Sequence, residues 1–192
     1  MYVHTPSPEE ADGAVKAMYD AAEASEGYLP NQVRLFSLNP AARAAWRQLV
    51  ESINAGMDHR RYELVTLAAA ATVRCRYCVS AHAAVVMESD YFDRAEVEEI
   101  ARDFRSADSL DARDKEIMVF AEKVALDANR VAPEDVDHLR AHGLSDKEIF
   151  DVTLAAAARV FYSKVLQAMD AEPDEALAAT NGLVDLVELR PG

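Results

Sequence analysis

The run Val65-Thr66-Leu67-Ala68-Ala69-Ala70-Ala71 recurs as Val152-Thr153-Leu154-Ala155-Ala156-Ala157-Ala158, 87 residues further along a chain of 192. Four shared alanines are weak evidence of duplication on their own. The flanks carry more weight: Gly56-Met57-Asp58 through Val73 aligns with Gly143-Leu144-Ser145 through Val160. A glycine, an apolar residue and a helix N-cap fall at matching positions, and each has its own backbone task. The chain is therefore expected to contain a duplicated helical unit whose small residues let two helices approach closely.

The remaining sequence is helical in pattern almost throughout. Ser7-Pro8-Glu9-Glu10 reads as a capping box with proline at the first helical position, opening a helix to about Ser25 before Gly27. Tyr28-Leu29-Pro30-Asn31 is turn-like, and Val33 to Leu38 is a short apolar stretch. Asn39-Pro40 starts a helix through Trp46, Leu49, Val50 and Ile53 that stops near Gly56. Asp58 can cap the next. Asp93 with Glu96 is another capping box. Asp111 to Ala128 carries Ile117, Phe120, Ala121, Val124 and Ala125 at helical spacing. Pro133 to His142 ends at Gly143, Ser145 with Glu148 opens a long helix to about Asp170, and Pro173 begins a last short one. No alternating strand pattern bounded by turn residues occurs. The expectation is one all-α fold: an N-terminal arm over 1–38, a helical domain over 39–178 and a tail over 179–192.

Acidic residues number 34 against 20 basic, a net charge of −14 that repels phosphate backbones and anionic lipid, so neither nucleic acid nor membrane is an expected partner. No run approaches the roughly 18 apolar residues of a membrane span. Met1-Tyr2-Val3-His4-Thr5-Pro6 lacks the basic start and apolar run of a signal peptide. A cytoplasmic setting follows as the default, and there a lone Cys-x-x-Cys is kept reduced between events.

The only two cysteines stand in Cys75-Arg76-Tyr77-Cys78-Val79-Ser80-Ala81-His82. On a helix, Cys75, Cys78 and His82 share one face, a pattern that reads first as a redox dithiol beside a proton-moving histidine. Two buried cysteines acting as small hydrophobes are the bland alternative. A catalytic zinc site using Cys, Cys and His also stays open, although no second cysteine pair exists to complete a structural one. Haem attachment would need histidine where Val79 stands, and a thioredoxin fold would need strands. Glu63 lies ~18 Å from Cys75 along an unbroken helix, so it joins the site only if the helix breaks between them. Thr72-Val73 is the expected break, with Thr72 capping a new helix that holds both thiols in its first turn. Otherwise Glu63 merely complements the dipole of its own helix. Trp46, Phe120, Phe161 and Tyr162 read as core or subunit contacts, and His59, His138 and His142 as exposed helix residues.

Glu63 followed by Cys75-x-x-Cys78-x-x-x-His82, with the preceding Glu-Leu-Val-x-Leu helix, resembles the carboxymuconolactone decarboxylase and alkylhydroperoxidase D-like superfamily. The likeness is nearest to its peroxidase-related members with Cys-x-Tyr-Cys-x-x-x-His, and Leu29-Pro30-Asn31 and Ala171-Glu172-Pro173-Asp174 also resemble family segments. The resemblance implies an all-α fold assembling as trimers or hexamers. It implies Cys78 as the peroxide-attacking thiol, Cys75 as its resolving partner, His82 as the base near Cys78 and Glu63 as the relay carboxylate. Hydroperoxide would be the substrate and a dithiol the reductant, with no cofactor or metal. Tyr77 replaces a histidine of the alkylhydroperoxidase D type, so it is a relay or pocket residue of weaker basicity. A redox sensor without turnover, and a decarboxylase-like lyase on the same scaffold, are the competing readings.

Overall fold

Asn39, Asp58, Asp93, Asp111 and Ser145 each accept a backbone N–H from the third residue beyond them, and each opens a helix. These bonds satisfy donors that a helix start otherwise leaves orphaned. In the computed structural model, which describes residues 1–180 and Leu183, the order is α1 (Gly13–Glu26), α2 (Asn31–Phe36), α3 (Pro40–Asn54), α4 (His59–Thr72), α5 (Arg76–Glu88), α6 (Arg94–Asp103), α7 (Ala112–Asp127), α8 (Pro133–Ala141) and α9 (Asp146–Ala168). Short 3-10 turns cover Ala128–Arg130 and Glu175–Thr180. No strand occurs among the described residues. The fold is a single all-α domain.

Helix α4 is the axis of the molecule. Ten consecutive residues, Tyr62 to Ala71, are buried, and α5, α7 and α9 pack around them. A helix enclosed on all sides needs small side chains where neighbours come close, which the alanine run supplies. Helix α9 presents its own alanines, Ala155 and Ala156, to the same core. The two copies of the repeated unit meet through an ion pair between Arg61 and Glu148, 2.8 Å apart, which occupy equivalent places in the two copies. Arg60 holds Asp114 of α7 through two hydrogen bonds, at 3.1 and 2.8 Å. The arm joins the same body: Leu35 and Phe36 are buried in the common core, and the Tyr19 hydroxyl donates to the Pro6 carbonyl at 3.0 Å.

Helix ends follow a rule that is less visible in the sequence. In the Schellman arrangement one backbone N–H bonds a carbonyl five residues back around a left-handed residue. Gly143 (φ 83°) ends α8 in this way, as glycine ordinarily does. Arg74 (φ 54°), Asp90 (φ 53°) and Asp170 (φ 53°) close α4, α5 and α9 identically without being glycine.

Three sequence expectations shift. The Ser7 box forms only one turn, with Ser7 N–H donating to Glu10 at 2.9 Å, and α1 starts afresh at Gly13 because left-handed Gly13 (φ 46°) interrupts it. Thr72 does not cap α5; its hydroxyl donates back to the Ala68 carbonyl at 2.8 Å and finishes α4, while Cys75 takes the N-cap place without a side-chain bond. The last short helix is the 3-10 turn after Asp174 and does not begin at Pro173. Apart from its first two residues and Leu183, the tail over 179–192 lies outside the described residues. No described helix is long and apolar enough to cross a membrane.

Ala156 is fully enclosed where α9 meets the core. Ala156→Leu should therefore overpack it and cost about 1–3 kcal/mol, read as a lower midpoint in urea unfolding with an unchanged slope.

Candidate active site

The break after α4 creates the site. Cys75 N–H bonds Ala70 and Arg74 N–H bonds Ala71, each at 3.0 Å, so the chain turns sharply at left-handed Arg74 and α5 folds back along α4. Gln167 of α9 holds the corner, donating to the carbonyls of Val73 (2.8 Å) and Arg74 (3.2 Å). The fold-back brings His82 to Glu63: Nδ1 lies 2.6 Å from Oε2, inside the core. Thr66 stands 3.3 Å from the same ring nitrogen. Exposed His59 places Nε2 3.7 Å from the other carboxylate oxygen of Glu63 and Nδ1 3.0 Å from the Tyr91 hydroxyl. Burial pushes the Glu63 carboxyl upward, but the charge and hydrogen bond of His82, then His59 and Arg159, outweigh it and hold the carboxyl below its ordinary value.

Both cysteines are free and each is 1% exposed. Cys75 is the N-cap of α5 and Cys78 its third residue, at the positive end of the helix dipole. Cys78 receives a hydrogen bond from Ser163 Oγ at 3.3 Å, and Arg159 Nη1 is directed at its sulfur from 3.8 Å. The hydrogen bond from Cys75 lowers the Cys78 pKa most. Burial opposes it, while Arg159, Ser163 and His82 add to the lowering, and the balance holds the thiol below its ordinary value. Cys75 moves the opposite way, raised first by its bond to Cys78 and then by burial. The surroundings thus favour ionisation at Cys78 over ionisation at Cys75.

Arg159 and Ser163 went unnamed in the sequence, although they are the charged and hydroxyl partners of Cys78. A signal existed: Arg159 is the only charge between Thr153 and Tyr162, within an otherwise apolar stretch of α9. Its guanidinium is buried beside the stacked Trp46 and Tyr162 rings, 5.8 Å from each centroid, with Nη2 3.5 Å from the Tyr62 hydroxyl. A cation held there lends its charge to the sulfur at low dielectric. Arg159, Tyr162, Ser163 and Leu166 fall on one face of α9, which lays that face against the cysteine turn.

Tyr77 is buried. Its hydroxyl donates to Asp174 through a very short hydrogen bond and accepts from the Gln32 N–H at 3.3 Å. Burial, then the Asp174 carboxylate, push its phenol well above the usual value. Asp174 also accepts the Asn31 N–H at 2.7 Å, so residues 31–32, 77 and 174 form one clasp. Behind it lies a cavity of about 520 Å³ walled by Trp46, Val50, Tyr62, Val85 and Tyr162, with Glu63, Cys78, His82 and Arg159 on its lining. Trp46 and Tyr162 stack at 4.5 Å, whereas Phe161 is 54% exposed and Phe120 sits in the core away from this cavity. His138 is exposed and His142 half-buried, neither on that lining. Among the described residues, no three His, Cys, Asp or Glu side chains converge as a metal site.

Residues 40–103 match the carboxymuconolactone decarboxylase family model. An alkyl hydroperoxide reductase of Mycobacterium tuberculosis is 32% identical over 96 residues, which is 49% of this chain but only 28% of that protein's length. An alkylhydroperoxidase AhpD core structure, an uncharacterized peroxidase-related protein from Ralstonia eutropha, superposes with a TM-score of 0.82 at 20% identity over 92% of this chain and 93% of its own. The debrominase Bmp8 in complex with 2,3,4-tribromopyrrole gives 0.78 at 19% identity, over 96% and 97%. At these identities the structures establish the shared fold. The superfamily to which the motif points, carboxymuconolactone decarboxylase and alkylhydroperoxidase D-like, is the one that both the family match over α3 to α6 and the common architecture support.

Proposed function

We propose that the chain is a thiol-dependent peroxidase acting on organic hydroperoxides, with Cys78 as nucleophile, Cys75 as resolving thiol and Glu63–His82 as proton relay. The observation that carries this reading is the surroundings of Cys78: a buried guanidinium, a serine hydroxyl and a second thiol all favour its ionised form, beside an aromatic-walled cavity. Ligand cavities of roughly 300–1,000 Å³ suit small organic molecules, and Trp46, Tyr62 and Tyr162 on this mixed polar and aromatic lining give an alkyl or aryl group somewhere to pack.

The thiolate attacks the terminal oxygen of R–O–OH. The S–O bond forms as the O–O bond breaks, leaving a sulfenic acid on Cys78 and an alkoxide that takes a proton to become ROH. With Nδ1 of His82 committed to Glu63 and Thr66, Nε2 is the nitrogen that gives this proton, and the Glu63 carboxylate stabilises the imidazolium. The Cys75 sulfur then displaces hydroxide from the sulfenic acid, which leaves as water once protonated, and a disulfide forms. An external dithiol reopens it. Tyr77, with its phenol raised and bound to Asp174, serves the pocket wall in this scheme and not the proton relay. A dithiol reductant, a homo-oligomer and a cytoplasmic setting complete the proposal.

A second reading draws on the same cavity. Flat aromatic walls beside a thiolate also suit a halogenated heteroaromatic, such as the tribromopyrrole held by Bmp8. Bromide release from that compound in the presence of dithiothreitol, with no peroxide consumption, would favour it.

Peroxide consumption with dithiothreitol should occur in the wild type and vanish in Cys78→Ser. Cys75→Ser should accumulate a dimedone-trappable sulfenic acid on Cys78. His82→Gln should slow single-turnover thiol oxidation by about 10²–10⁴-fold. Arg159→Gln should move the thiolate absorbance transition of Cys78 about one to three pH units higher, since it removes the nearby positive charge. If wild-type protein treated with peroxide keeps two titratable thiols, the proposal fails.

A further inference from the structure

Cys75 and Cys78 border different spaces. Cys78 lines the aromatic cavity, whereas Cys75 lines a separate recess of about 190 Å³ between the start of α5 and the segment following α9. Tyr77 is the one residue common to both linings, so its ring is the wall between them, pinned by Asp174. The rim of the recess carries exposed Arg74, Arg76, Gln167 and Glu172, and Ala171 and Leu166 lie further along its walls. It therefore meets the surface away from the substrate cavity. At about 190 Å³ it is below the roughly 300 Å³ where drug-sized ligands begin, so a folded domain could not enter it and only a slender thiol-bearing chain could approach the barely exposed Cys75.

We propose that this recess is the reductant's port: a slim dithiol enters it and attacks the Cys75 sulfur of the disulfide, while peroxide uses the other cavity. The inference rests on the peroxidase reading for its place in a cycle, but the port is a property of the disulfide itself. The incoming thiolate forms an S–S bond to Cys75. The Cys75–Cys78 bond breaks, and its electron pair leaves on Cys78. The reductant's second thiolate next attacks its own sulfur in the mixed disulfide, so that Cys75 departs and takes a proton. The dithiol ends as a disulfide, having supplied two electrons.

Chemistry favours this direction. Attack at one sulfur expels the other, and the better leaving group is the more stable thiolate. Arg159 Nη1 and Ser163 Oγ are directed at Cys78 from 3.8 and 3.3 Å, whereas Cys75 lies 3.9 Å from the Ser163 carbonyl oxygen, an acceptor that does not stabilise a leaving thiolate. The charge of Arg159 and the Ser163 hydroxyl both lower the Cys78 pKa, and unlike the bond from the Cys75 thiol they persist while Cys75 is held in the mixed disulfide. The arrangement also gives Tyr77 a purpose. An aromatic partition held at its tip keeps reductant from meeting peroxide in one cavity, a task that needs bulk and a fixed hydroxyl and does not need basicity.

The test uses full-length protein whose disulfide is made with diamide, so it does not depend on peroxide being a substrate. Brief exposure to 2-mercaptoethanol, acid quenching and peptide mapping should place the mixed disulfide on Cys75; an adduct mainly on Cys78 would overturn the port. Ala171→Trp, which fills the recess, should slow reduction of the disulfide by dithiothreitol by about tenfold or more while leaving single-turnover oxidation by cumene hydroperoxide within about twofold. Unchanged reduction in a folded Ala171→Trp protein would overturn the proposal, as would failure of diamide to join the two cysteines. A protein that maps to Cys75 yet ignores peroxide would instead defeat the peroxidase reading and leave the port standing.

Discussion

Left-handed Arg74 is the constraint on which the site depends. Without that corner α4 and α5 would be one rod, and Glu63 would never face His82. A non-glycine residue in this conformation costs on the order of 1 kcal/mol, and strain of this kind persists only where its surroundings over-determine it. Here they do. Two backbone bonds close the end of α4, Gln167 of α9 binds the corner's carbonyls, and the Cys75 and Cys78 side chains are enclosed on the far side. The corner is fixed by contacts from α9, the helix that contains the second copy of the repeated unit, so scaffold and site are linked: the segment following the first copy carries the thiols, and α9 holds them in place and supplies their cation.

The second dependency is electrostatic. Glu63 and Arg159 are both buried charged side chains, a costly choice for a core unless each is compensated. Glu63 is compensated by His82 and His59, and Arg159 by two aromatic faces, Tyr62 and the Cys78 sulfur. The sulfur is the partner whose charge can change. Burying such charges is seldom the most stabilising choice for a core, and the proposed reaction gives them a use: a cation beside the sulfur that ionises and a carboxylate behind the ring that exchanges a proton. The clasp around Asp174 then ties the starts of α2 and α5 to the segment after α9 beside the cavity.

How much of this could be read in advance follows from where the information sits. Helix starts were legible because capping is a local side-chain bond, and Asn39, Asp58, Asp93, Asp111 and Ser145 all sit where that bond demands. Helix ends were less so. Gly143 announced one, but Arg74, Asp90 and Asp170 occupy the same left-handed position without the residue that signals it. The break between Glu63 and Cys75 was thus placed near the right residues and assigned to the wrong cap, Thr72. The Glu63–His82 juxtaposition could be anticipated because the motif fixes its own spacing. Arg159 and Ser163 could not be placed, since they lie 81 and 85 residues from Cys78 and reach it only through packing of α9 on α5. An arginine inside an alanine-rich run was the one local hint. His59 read as an ordinary surface residue because its tie to Glu63 looks like any i, i+4 pair.

The central claim is that this packing makes Cys78 a nucleophile while the solution still protonates an ordinary thiol. Its most direct test is the rate at which the wild type loses its two thiols in a single turnover with excess cumene hydroperoxide, followed from about pH 5 to pH 9. A half-maximal rate well below the ordinary thiol value of about 8.5 is expected. A midpoint at that value, or thiols that survive at every pH, would contradict the account.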